Sequence, residues 1–295
     1  MPGAALALVL AAALLHALWN LAAKHWGGDA SDRHHFVLAG AIGVTLLWTP
    51  VVAIVGWQDF AHWPAAAWWA VLASAIVHLF YFNALLAGYQ ASDLNIVYPV
   101  ARGSGPAISS LSALLLFNER LTLGGMLGLA AIVGGIVLMA AGPALFNAGD
   151  AAARTRRRHG LAWGALTGAL IAGYTLIDGY AVKVLLVSPL LVDWTCNALR
   201  LPFAALPVWR DRAAFVPALR RQWPGVLALA LLSPGAYILV LYAVRMAPLS
   251  RVAPAREVSM LVAALLGGQL LREGERPWRL GGAACIAAGV VALAL

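Results

Sequence analysis

Charge is scarce in this chain. Only 11% of its 295 residues are Asp, Glu, Lys or Arg, against 62% hydrophobic residues and a mean hydropathy of +0.83. A soluble domain carries roughly a quarter charged residues, so a water-soluble globular fold is excluded. Cysteine is nearly absent too. Cys196 and Cys285 both fall inside apolar runs, which leaves no disulfide framework and no thiolate metal site. The N-terminus lacks a basic segment before its apolar stretch, so Leu6–Ala22 is expected to be a permanent span rather than a cleaved leader. The apolar runs show no period-two alternation, which excludes a transmembrane barrel. No phosphate-binding glycine loop, nucleophile elbow or zinc-ligand spacing occurs, so neither an ATP-driven pump nor an enzyme is expected, and no metal, cofactor or catalytic residue. The net charge of +8 comes without a basic stripe interleaved with aromatics, which argues against a nucleic-acid partner.

What is present is a succession of apolar runs of about 20 residues, the length that crosses a hydrocarbon core. They predict an all-α integral membrane protein with ten transmembrane helices, near 4–22, 36–56, 66–88, 95–117, 123–141, 161–182, 190–208, 224–244, 252–271 and 280–295. A polar linker at 143–159, containing Arg154, Arg156, Arg157 and Arg158, divides a first repeat (1–142) from a second (160–295). Short matches recur in the same order in both halves: Leu14–Lys24 with Gly173–Lys183, Tyr81–Ala84 with Tyr237–Val240, and Gly124-Gly125 with Gly281-Gly282. Fixed order gives these weak matches weight. Five spans per repeat, an odd number, make the two repeats inverted around a central cavity, as in many secondary transporters. Most loop arginines fall on the odd-numbered loops, against Arg120, Lys183, Arg245 and Arg251 on the other side. Positive-inside bias then places the linker in the cytoplasm and both termini outside. Small residues at Gly124, Gly128, Gly134 and Gly135 are expected to let helices approach closely, either between the halves or between protomers.

Charge at membrane depth points to function, because an intramembrane arginine costs at least about 2.5–3.5 kcal/mol. Two segments place one just after a proline, Tyr98-Pro99-Val100-Ala101-Arg102-Gly103-Ser104-Gly105-Pro106 and Val252-Ala253-Pro254-Ala255-Arg256-Glu257. The prolines and glycines predict a bend or break near Arg102. Arg200 sits mid-span and requires an acidic partner or an anionic ligand. Three acidic residues, Asp178, Asp193 and Glu257, balance the three arginines, as a structural network or as proton carriers. Glu257 points about 100° away from Arg256 on an ideal helix, so it is not expected to be its neighbour's counter-ion. His16 and His78 are expected to be packing residues. Asn20, Trp19, Asn83, Tyr81, Tyr98, Tyr174, Trp194 and Tyr237 are candidates to line a cavity.

With these residues in view, the chain resembles the EamA branch of the drug/metabolite transporter superfamily. The resemblance rests on His16-Ala17-Leu18-Trp19-Asn20, the two proline–arginine segments, and the repeat ends Phe117-Asn118-Glu119-Arg120-Leu121 and Leu271-Arg272-Glu273-Gly274-Glu275. It implies a ten-helix carrier of the inner or plasma membrane that exports or exchanges small metabolites, often with protons. It also implies that Glu119 and Glu273 are helix-end features rather than binding residues. The expectation is a multi-pass transporter of the cell (inner) membrane for small anionic or zwitterionic metabolites, working by alternating access as a monomer or homodimer. Arg102, Arg200, Arg256, Tyr98, Ser104, Asn20 and Trp19 would bind substrate, and Glu257 and Asp178 would carry protons. The alternative is a broad-specificity drug or cation efflux carrier of the same fold, against which three buried arginines weigh.

Overall fold

In hydrocarbon, backbone N–H and C=O groups find no partner except one another, and a helix pairs them within a single run. The computed structural model describes residues 1–26, 33–92, 94–141, 151–259, 262 and 276–294, and among these all regular structure is helical. The helices are α1 (Gly3–Trp26), α2 (Arg33–Val55), α3 (Ala65–Ala91), α4 (Leu94–Leu116), α5 (Leu123–Ala141), α6 (Ala151–Lys183), α7 (Pro189–Trp209), α8 (Arg212–Met246), α9 (Leu249–Ala255) and α10 (Arg276–Ala294). A 3-10 turn at Trp57–His62 joins α2 to α3. Prolines mark several starts: α3 follows Pro64, Pro189 opens α7, and α9 follows Pro248. A proline in the first turn forfeits only a donor that would be unpaired anyway.

Among the described residues, four stretches are long and apolar enough to cross a membrane: His34–Val55, Ala65–Leu85, Arg158–Lys183 and Arg212–Met246. Shorter apolar runs lie in α1, α5 and α10. The outer surface is apolar, with Ile54 84% and Leu115 86% exposed, which suits lipid rather than water.

The packing follows the repeat. α1 lies against α8 and α3 against α6; α2 packs on α7 and α8, and α3 also touches α7. α5 packs on α10. Exchanging each helix with its counterpart five places on maps these pairings onto themselves. At the α5–α10 contact a Cβ on Gly128 would lie 2.8 Å from the Gly289 carbonyl oxygen, and one on Gly135 would lie 2.6 Å from that of Gly282. Glycine is required there because backbone meets backbone. Of the two partners the sequence left open for this face, the structure pairs Gly128 and Gly135 with the other half. Gly134 faces open space.

Three local expectations change. α4 runs unbroken from Leu94 to Leu116, through Pro99 and Pro106. The break comes instead in the second half, where α9 ends at Ala255 and Arg256–Glu257 form a turn. There the Glu257 amide bonds to the Pro254 carbonyl at 3.0 Å and the Ser259 amide to that of Arg256 at 3.1 Å, a tighter i−3 pattern. Neighbours decide the difference. α4 lies backbone-close to α6, since a Cβ on Gly168 would sit 3.0 Å from the Ala101 carbonyl oxygen, and this contact holds the helix through its prolines. Finally, α6 begins at Ala151, so Arg154–Arg158 form its opening turns.

Candidate functional site

The α4–α6 contact carries Arg102 inward, and the turn after α9 brings the second half to meet it. Arg102 Nη2 lies 3.1 Å from Glu257 Oε2 and donates to Ser259 Oγ at 3.3 Å. Arg256 Nε donates to Glu257 Oε1 at 3.3 Å. Arg256 and Glu257 are therefore partners, contrary to the expectation from helical geometry. The physical reason is the turn: 100° per residue does not apply once the helix has ended. Arg256 and Glu257 are 2% and 0% exposed, so Arg256 does not reach for a headgroup. Two guanidiniums face one carboxylate at a largely buried junction, where opposite charges attract more strongly than in water.

Arg200 has its own arrangement. Its Nε donates to the Cys196 carbonyl at 3.2 Å and its Nη2 to Asn197 Oδ1 at 2.7 Å. Asn197 Nδ2 in turn donates to Asp193 Oδ2 at 3.2 Å and to the Asp193 carbonyl at 2.9 Å. An amide thus relays between the charges, and both Asp193 and Asn197 are buried. The sequence pointed to Arg200 and Asp193 but missed Asn197. Spacing along α7 could have shown it, since 193, 197 and 200 share one helical face.

Among the described residues Asp178 forms no ion pair with an arginine. Its Oδ2 accepts a hydrogen bond from the Tyr237 hydroxyl. Around it stand His78, stacked on Tyr174 with centroids 3.9 Å apart, and Tyr81, edge-on to Tyr174 at 5.6 Å. Tyr237 meets Tyr174 at 6.4 Å. Ser74 Oγ lies 3.2 Å from His78 Nδ1. His16 is likewise a hydrogen-bonded packing residue: it accepts from Trp19 Nε1 at 2.7 Å.

The remaining candidates divide. Ser104 turns its hydroxyl onto the Val100 carbonyl of its own helix. The side chains of Asn20 and Tyr98, and all of Glu273, lie outside the described residues. Trp194 Nε1 donates to the Thr45 carbonyl at 3.1 Å and borders a hollow of ≈ 420 Å³ with Trp57, Phe60 and Trp68. Asn83 borders another, of ≈ 550 Å³, with His34, Phe80 and Trp163. Arg102, Arg200 and Arg256 line neither hollow.

Glu119 is a helix-end residue as the resemblance implied, but of a helix in the other half. Its Oε1 accepts from Lys183 Nζ and from the Leu249 amide, each at 2.8 Å, and its Oε2 accepts from the Ser250 amide at 2.9 Å. Asn118, with φ 51°, turns the chain just before it. Burial alone would raise this carboxyl's pKa, but Lys183 and the two amides outweigh that and hold it below the usual carboxylate range.

An all-helical, lipid-facing bundle of two like halves, with charge gathered where they meet, defines a membrane carrier. The chain belongs to the EamA-like transporter family, whose model matches residues 3–141 and 158–295. It is accordingly a membrane transporter with a small-molecule substrate and a lipid environment. A search of the curated proteins finds no match. A crystal structure described only as that of a protein aligns over 99% of this chain and 96% of its own, with a TM-score of 0.71 and 17% identity, so the two share a fold.

Proposed function

We propose that this protein is a secondary transporter that exports or exchanges small anionic or zwitterionic metabolites across the cell (inner) membrane. Ten membrane crossings in two inverted halves would rock about the charged centre, with the linker in the cytoplasm. Arg102, Arg256 and Arg200 would take a carboxylate, phosphate or phosphonate group. Glu257 and Asp178 would carry the protons that couple transport to the gradient. Trp19, Ser104, Asn20 and Tyr98 would border the substrate when the centre opens.

The observation that carries this reading is the convergence of Arg102 from one half and Arg256 from the other on a single buried carboxylate, Glu257. A motion of the halves must open that junction, and an incoming anion can replace the carboxylate as partner. Uptake into proteoliposomes, screened over small anions and zwitterions, tests it. Arg102→Ala should abolish uptake of every accepted anion; unchanged uptake would exclude the anion site. Efflux of hydrophobic cationic dyes, unaffected by Arg102→Ala, would favour the drug carrier instead.

A further inference from the structure

The Asp178 neighbourhood has a chemistry that an anion site does not need. Asp178 is 1% exposed. Its Oδ2 is held by the Tyr237 hydroxyl, while its Oδ1 has no hydrogen-bond partner. Ser74 is a second hydrogen-bonding neighbour of this carboxylate, yet Oδ1 has no partner at full hydrogen-bond geometry. A buried carboxylate oxygen left without a donor carries an uncompensated desolvation cost, so such a group calls for a donor from elsewhere. The rings nearby are electron-rich: Tyr174, Tyr237 and Tyr81, with His78 stacked on Tyr174. A buried carboxylate held by one tyrosine hydroxyl, with further tyrosine rings packed on that tyrosine, is an environment that stabilises an organic cation, through the charge pair and through the ring quadrupoles.

Tyr174 connects this cluster to the guanidinium centre. It packs in one buried cluster with Ala101, the residue before Arg102, and Tyr237 lies against the same cluster.

We propose that Asp178, with Tyr174 and Tyr237, forms a subsite for an ammonium group, so that the protein selects zwitterions bearing an ammonium at one end and an anionic group at the other. The anionic end goes to Arg102 and Arg256, and the ammonium donates to Asp178 Oδ1. This deepens the proposed function and rests on it for the anionic end. The two roles of Asp178 are compatible, because the carboxylate holds either a proton or an ammonium. No bond is made or broken; recognition is by charge, hydrogen bonds and ring faces.

The test is equilibrium binding to the full-length chain in detergent micelles, with matched probes that differ only in the amine. Suitable pairs are phosphoethanolamine with ethyl phosphate, and β-alanine with propionate. In at least one pair the amine member should bind about tenfold or more tightly, the scale of a lost charge-assisted contact. Asp178→Asn should bring that ratio close to one, and Asp178→Glu should restore part of it. Tyr237→Phe keeps the charge and removes only the hydroxyl on Oδ2; it should shift the ratio severalfold, and it reads the site if Asp178→Asn fails to fold. Equal binding within every pair, or a preference that survives Asp178→Asn, overturns the ammonium subsite. In that outcome loss of both members with Arg102→Ala leaves the anion carrier standing. If no member of any pair binds, both readings fall together.

Discussion

Arg102 of the first half and Glu257 of the second stand 3.1 Å apart in the buried centre, with Arg256 on the carboxylate's other oxygen at 3.3 Å. Glu257 is therefore a negative charge shared by two guanidiniums. Removing it leaves like charges facing each other at a largely buried junction, whereas removing Arg102 as well relieves them. Glu257→Gln should destabilise the protein by about 3–5 kcal/mol, and Glu257→Gln with Arg102→Met should recover much of that loss. Unfolding of the four proteins of this cycle in detergent measures the coupling. Purely additive losses would mean that the two residues do not depend on one another.

Glu119 offers a test tied to pH. Its depressed pKa means that the folded state holds the carboxylate ionised more tightly than the unfolded chain does. The clamp's contribution is thus fully present above the unfolded value of about 4.3 and is lost as pH falls through the lower folded value. Glu119→Gln should lower the melting temperature at pH 7, by the equivalent of about 1–3 kcal/mol. The gap to the wild type should close only below about pH 4.3. A gap that closes between pH 6 and 8 would show that another group carries the effect.

The glycines of α5 give an internal control. Gly135→Ala places a methyl 2.6 Å from the Gly282 carbonyl and 2.9 Å from Cys285 Cβ, so α5 and α10 must part. Gly134→Ala, one residue earlier, meets nothing within 4 Å. Alanine is the better helix former by about 0.8–1.0 kcal/mol. Gly134→Ala should accordingly hold or raise the melting temperature, and Gly135→Ala should lower it by several degrees. Equal responses would place the close contact elsewhere.

These tests also mark what the chain discloses by its sequence alone. Apolar runs and their paired motifs reveal helices and two like halves, because membrane burial imposes length and composition locally. Arg102, Arg200 and Arg256 stand out because charge in an apolar run is costly wherever it points. Partners are another matter. Pro99, Pro106 and Pro254 are alike on paper, yet α4 continues through the first two while the chain turns after the third, since only α4 is braced closely by α6. That turn makes Arg256 and Glu257 partners, which helical arithmetic denied. Glu119 is recognisable as a helix-end residue, but the helix it caps, α9, belongs to the other half. Contacts between halves depend on tertiary approach, and no local pattern encodes them.

Asn197 is the opposite case, a partner that the 193, 197, 200 spacing along α7 discloses. It accepts from Arg200 at 2.7 Å and donates to Asp193 Oδ2 at 3.2 Å, so one neutral amide satisfies a cation and an anion at once. Asn197→Ala strips both and should cost about 1–3 kcal/mol, since buried Asp193 loses its donor. Asn197→Asp would offer Arg200 a carboxylate but set a second negative charge one helical turn from Asp193, where like charges repel. It should therefore destabilise as well, unless Asp193 is neutralised in the same molecule. Asn197→Asp with Asp193→Asn keeps the net charge and reverses the direction of the relay, with the ion pair now direct. That double variant should melt closer to the wild type than either single change at 197. Should Asn197→Asp alone prove as stable as the wild type, Asp193 would carry no charge beside it, and the relay would be an amide bonded to a neutral acid.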